Sequence, residues 1–141
     1  MRLLKLIIAC MLCPMFVATA TDLVVIVNPA SDIDKLSKDE VINIFMGRYR
    51  KLASGMAAIP IDLENPLKSK EQFYFLMMGK ELIDINSYWA RLKFSGQAPP
   101  PRRALNTEEM LEMVSASRGA IGYIDKKDVD KRVRVVLELP H

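Results

Sequence analysis

The chain has 141 residues, half of them apolar and 26% charged, with a formal net charge of +3. That balance fits one ordinary globular domain and excludes a low-complexity or highly charged disordered chain. The single histidine is the C-terminal residue, His141, and the two cysteines, Cys10 and Cys13, lie near the start, so a histidine general base, a histidine or thiolate metal site and a thiol nucleophile are not expected in the body of the fold.

Residues 1–20 read as a secretory signal peptide. Arg2 and Lys5 form a basic start, residues 6–17 an apolar run, and Ala18-Thr19-Ala20 a small-residue cleavage site. The run is short for an uncleaved anchor, since a span takes about 20 residues, and the stretch before Cys10 is too short for a lipoprotein signal. The mature domain is therefore expected over residues 21–141, periplasmic, with no membrane span after cleavage and no cysteine. Removing Arg2 and Lys5 from the 20 basic residues leaves 18 against 17 acidic ones, a net charge of +1. Nothing in that charge argues for a nucleic acid or an anionic membrane as partner.

The mature chain opens with Leu23-Val24-Val25-Ile26-Val27 before Asn28-Pro29, a short β-branched run that predicts a buried, interior strand. Asn28, Ser31 and Asp32 at its carboxyl end are turn formers first, with Ser31 a candidate ligand contact. Ser37 and Glu40 have capping-box spacing, Leu36 and Val41 a staple, and Val41, Ile44 and Phe45 one apolar stripe, so a helix is expected up to Gly47. Residues 48–55 form a basic connection, with solvation its default role. Residues 57–63 predict a strand, with Pro60 favouring an edge or a strand end.

The second helix has two candidate starts, Asn65 with Pro66 at the first helical position, or Ser69 with Gln72 in capping-box spacing. Phe73, Leu76 and Met77 build its stripe and Gly79 ends it. A third helix, near residues 84–94, places Ile85, Tyr88, Trp89 and Leu92 on one face and closes at Gly96. Successive prolines at 99–101 rule out helix and predict an extended connector through Arg103. Asn106 caps a fourth helix carrying Met110, Leu111, Met113 and Val114. Ala120-Ile121-Gly122-Tyr123-Ile124 is a strand in which Gly122 is expected to mark a close backbone approach or a bulge, and residues 133–137 form a last strand. The class is α/β with a mixed sheet covered by about four helices.

Enzyme chemistry finds little support. No serine has a readable partner base, no Walker or dinucleotide fingerprint is present, and Asp62 and Glu64 read as surface acids at a strand end rather than as an acid–base pair. No catalytic residue, no metal and no cofactor is expected. In an open α/β sheet, ligands sit at the carboxyl ends of strands, against helix N-termini. The loop from Glu64 into the second helix, with Asn65 in it, is the place for a small anion.

The helix through Gly47, the strand to Leu63, Phe73 with Leu76 and Gly79, Tyr88-Trp89-x-Arg91-x-x-Phe94-x-Gly96 and Gly119-Ala120-Ile121-Gly122-Tyr123-Ile124 follow in one order. This ordered set resembles one lobe of the type II periplasmic substrate-binding proteins, in their phosphate-binding (PstS-like) branch serving ABC transporters, over nearly the whole mature chain. The resemblance implies a phosphate site after the second strand, where the family carries Ser-Gly-Thr ahead of a helix. Matching Phe73 to that helix's phenylalanine puts Ser69 at the threonine and Lys70 where an arginine is common. Leu67 and Lys68 stand for Ser and Gly, and the upstream arginine typical of the family's strand end is missing, with Asp62 nearby instead. The implied function is a non-catalytic phosphate or small-anion binder linked to transport or sensing. The alternative is an envelope interaction module that kept the lobe and lost the ligand, using residues 99–103 or 48–51.

A single lobe is expected to bind weakly. An exposed helix N-terminus contributes roughly 0.3–1 kcal/mol toward an anion, whereas a Kd of 1 mM needs about 4.1 kcal/mol. A second copy of the chain, or an envelope protein closing over the site, is the expected remedy.

Overall fold

The computed structural model describes residues 22–65 and 67–140. The expected signal peptide, both cysteines, Pro66 and His141 lie outside the described residues. Strand β1, Leu23–Val27, is buried at every position, as its unbroken apolar run requires. It lies between two strands, β4 (Ala120–Asp125) and β5 (Arg134–Glu138), antiparallel to both. Strand β2, Ile59–Leu63, pairs in parallel with β4 and with β3, Arg102–Ala104. The sheet order is β3-β2-β4-β1-β5, so β1 alone runs against the other four strands.

Helix α1, Lys38–Phe45, starts where the sequence places it. The Ser37 hydroxyl accepts from the Glu40 N–H and the Glu40 carboxylate accepts from the Ser37 N–H, a complete capping box. Helix α2, Lys68–Met78, is capped by Leu67 without a side-chain bond, so neither expected start is used. What sets its first turn is burial: Lys70, Phe73, Tyr74 and Met77 form one buried stripe, and this tertiary fit overrides the local capping signals. Helix α3, Leu82–Ser95, begins two residues before the expected start, and Gly96 ends it in the left-handed conformation. Helix α4, Thr107–Ala116, is capped by Asn106, whose side chain accepts from the Glu109 N–H. The proline connector delivers an edge strand, β3, where an extended link alone was expected.

The two faces of the sheet are set by alternation along β4. A Cβ on Gly122 would lie 2.4 Å from Met110 Sδ, so that glycine makes room for α4. The next residue, Tyr123, faces the opposite side, where its ring stacks on Phe73 at 3.9 Å and lies 5.9 Å from Phe45. Helices α1 and α2 therefore cover one face, α4 the other, and α3 packs on α2. Pro60 sits near the beginning of β2, which is interior in the sheet.

Candidate functional site

Because β1 is reversed, the two ends of the sheet differ. At one end lie the carboxyl ends of β2, β3 and β4 and the first turn of α2. Here a cavity of about 250 Å³ is lined by Asp62, Asn65, Lys70 and Trp89 together with Lys93 and Arg103. Two cations beyond Lys70 thus reach it, Lys93 from the last turn of α3 and Arg103 from β3. Arg103 is the register partner of Asp62 across the parallel pair and stands 4.0 Å from Glu64, an ion pair open to water and of small energetic weight.

Asp62, read from sequence as a surface acid, is 4% exposed. One of its carboxylate oxygens, Oδ1, accepts from the Tyr123 hydroxyl at 2.5 Å and the Leu63 N–H at 2.9 Å. The other, Oδ2, accepts from the Tyr74 hydroxyl at 2.5 Å and pairs with Lys70 Nζ at 3.5 Å. Charge-assisted bonds of this kind are short and strong. Burial pulls the Lys70 ammonium below the ordinary lysine value, with Arg103 adding to the effect and Asp62 opposing it. Burial, and then the adjacent Asp62 charge, hold the hydroxyls of Tyr74 and Tyr123 protonated well above the ordinary tyrosine range.

Of the four residues expected to contact an anion, two, Asn65 and Lys70, line the cavity. Ser69 is in the first turn of α2, partly exposed, and does not line it. The Lys70 side chain is 3% exposed, with its ammonium on Asp62. Ser31 follows β1 at the opposite end of the sheet, fully buried, with its hydroxyl lacking a partner. Its neighbour Asn28 does the turn chemistry read from the sequence, accepting from the Ala30 N–H at 2.8 Å and donating to the carbonyls of Val114 and Ser115. Sequence reasoning missed Lys93, Arg103 and the tyrosine partners of Asp62. A usable signal existed for the last: Lys70 falls on the i, i+3, i+4, i+7 stripe with Phe73, Tyr74 and Met77, and Asp62 interrupts an apolar strand. A buried cation on one element calls for a buried anion on another.

Among the described residues no cluster of three or more metal-ligating side chains occurs, and no helix is long and apolar enough to cross a membrane. No family model and no curated protein sequence matches the chain. Solved structures do. An ABC-type phosphate transport receptor from Vibrio cholerae superposes with a TM-score of 0.66 at 17% identity, over 82% of this chain and 45% of that one. A phosphate ABC transporter substrate-binding protein from Clostridium perfringens, with bound phosphate, gives 0.64 at 14% identity, over 82% and 44%. PstS from Borrelia burgdorferi gives 0.61 at 16% identity, over 82% and 46%.

The chain has the fold of one lobe of the PstS-like receptors. It spans less than half the length of those proteins, and the ordered sequence blocks and the backbone agree on a single lobe, with a five-stranded mixed sheet and four α-helices among the described residues. At such identities the likeness concerns fold, and ligand chemistry has to come from the residues of this chain.

Proposed function

We propose that this is a secreted, periplasmic, PstS-like domain that receives phosphate or a similar small anion at the carboxyl end of β2, without catalysis, in the service of ABC transport or sensing. The observation that carries this reading is the cavity at that place, into which Lys93 and Arg103 bring positive charge beside the first turn of α2. Cations on separate elements and the unsatisfied N–H groups of a helix start are the ordinary means of holding an oxyanion. Ser69 and Asn65 would supply neutral contacts, with Lys70 behind them on Asp62. One lobe leaves the anion open to water, which supports a Kd near 1 mM rather than a micromolar one, a difference of about 4 kcal/mol, until a second copy or an envelope protein covers it.

Isothermal titration of the purified protein with inorganic phosphate tests this directly. Heat and a thermal shift at millimolar phosphate, both reduced in Ser69→Ala and in Arg103→Ala, are the expected result. Silence in both measurements at millimolar anion removes the binder reading.

One observation favours a second reading, an envelope interaction module. Two segments far apart in sequence meet in a groove of about 280 Å³, lined among others by Tyr49, Arg50 and Pro99 to Arg102. The Arg50 guanidinium donates to the Gln97 carbonyl at 2.7 Å, which ties the two together, and Tyr49 is half exposed. Capture of an envelope protein that is lost in Tyr49→Ala with Arg102→Ala, in a chain inert to phosphate, would select this reading.

A further inference from the structure

We propose that Asp62 is an internal anion: its carboxylate fills a cradle of converging donors at the carboxyl end of β2 and keeps a free anion away from Lys70. Four donors from three elements point at two oxygens. They are the Leu63 N–H of β2, Lys70 Nζ and the Tyr74 hydroxyl of α2, and the Tyr123 hydroxyl of β4. A buried lysine–aspartate pair needs only its own two members and whatever completes their hydrogen bonds. Here two phenols are committed to one carboxylate, and both are held rigidly. The Tyr123 ring lies flat on Phe73, with 2° between the planes, and Tyr74 meets the same Phe73 edge-on at 5.2 Å. Donors fixed before the charge arrives are what make a strong anion site, because no reorganisation is needed.

The position of the cradle matters as much as its chemistry. Asp62 lines the cavity assigned above to the anion, opposite Arg103 in the sheet register. Its negative charge satisfies Lys70 and opposes any second anion that comes to rest beside it, since like charges near each other in a poorly solvated site are costly. A free anion is thereby confined to the outer cations, Lys93 and Arg103. As a limit on ligand affinity this rests on the anion-binding reading, while the cradle around Asp62 is a property of the fold by itself.

Replacing Asp62 with a smaller neutral residue should leave the donors in place and the anion missing, so that a small carboxylate from solution can take its seat. Asp62→Gly should gain thermal stability as formate is added, rising with the logarithm of formate concentration once that exceeds its Kd. Chloride at the same ionic strength should give no matching gain, and the wild type should not respond. Adding Tyr74→Phe to Asp62→Gly should raise the formate Kd drawn from that response about tenfold, the loss of one hydrogen bond to a charged group. If Asp62→Gly is unfolded in plain buffer, formate-dependent recovery of its far-UV circular dichroism is the same test. A formate gain no larger than that with chloride, in either measurement, overturns the internal-anion assignment. Phosphate titration of the wild type separates the two ideas. Phosphate binding without formate rescue keeps the ligand reading and ends this one, and rescue without phosphate binding does the reverse.

Discussion

The Asp62 cluster and the Arg132 cluster use the same chemistry in opposite surroundings. Arg132 sits in a surface fork, 2.7 Å from Glu108 Oε1 and 2.8 Å from Asp130 Oδ2, and hydrogen bonds to Asp130 and then Glu108 hold its guanidinium above the ordinary arginine range. Lys70 stands farther from its carboxylate, at 3.5 Å, but both groups are at most 5% exposed. Distance alone ranks the surface fork first. Solvent reverses the ranking: in water the fork competes with hydration and salt, whereas in the interior a charge without its partner has nowhere to turn. The lowered proton affinity of Lys70 against the raised one of Arg132 is the signature of that difference.

The sharpest way to break the comparison is to unpair the buried cluster from each side. Asp62→Asn leaves the Lys70 ammonium buried without a counter-charge, and a cost of about 3–5 kcal/mol in urea unfolding is expected. Lys70→Met is milder, about 1.5–3 kcal/mol, because Asp62 keeps the two hydroxyls and the Leu63 N–H. In the Asp62→Asn background, adding Lys70→Met removes the stranded charge and should restore part of the loss. Additive losses in the double variant would show that the two side chains do not act as a pair.

The next effect is a pH dependence. The native Lys70 value lies below the ordinary 10.5, so in the window beneath 10.5 the unfolded chain holds more protons and stability rises with pH. Tyr74 and Tyr123 lie well above the ordinary 10.0. Above 10 the unfolded chain sheds phenolic protons that the native chain keeps, so stability falls. The cluster thus predicts a climb toward pH 10 and a decline past it, with Lys70→Met flattening the climb. The protein has four tyrosines, and phenolate absorbance should show Tyr74 and Tyr123 ionising only as the chain unfolds. Smooth titration of all four before unfolding would contradict their burial against Asp62.

Most of the architecture was legible because it is written locally. The Ser37–Glu40 box, the Asn106 cap, the left-handed glycines after α2 and α3, and the apolar run of β1 each specify an element within a few residues. Three features were not, and each depends on a distant partner. The start of α2 follows the docking of Lys70 on Asp62. Strand β3 follows from pairing with β2, since Arg102 and Arg103 carry no strand signal of their own. The separation of Ser31 from Ser69 follows from the reversed direction of β1, which no local pattern encodes. A close backbone approach or a bulge was expected at Gly122, but a Cβ there would meet side chains, Met110 Sδ at 2.4 Å; the close backbone approach is at Gly119, where a Cβ would stand 2.0 Å from the Ala57 carbonyl oxygen. Within the anion site the sequence supplied the residues at the helix start and missed the fate of their charges, because burial decides whether a lysine faces a ligand or a carboxylate.

The smallest expected effect completes the comparison. Arg132→Ala removes the best-formed ion pairs by distance, including a second contact to Glu108 and three to Asp130, yet it should leave the urea midpoint without a resolvable shift. The carboxylates it releases are solvated, and charges open to water are screened over about 10 Å at 0.1 M salt. What the change should alter is proton binding: Glu108 and Asp130, held below their ordinary range by hydrogen bonds from Arg132, should titrate at higher pH in the variant, measurable by NMR of the side-chain carboxyls. Raising salt to 1 M should shrink even that difference while leaving the cost of Lys70→Met nearly intact, since the buried pair is shielded from mobile ions. An Arg132→Ala loss as large as that of Lys70→Met, or a Lys70→Met cost that vanishes in salt, would mean that pair distance governs this fold and burial does not.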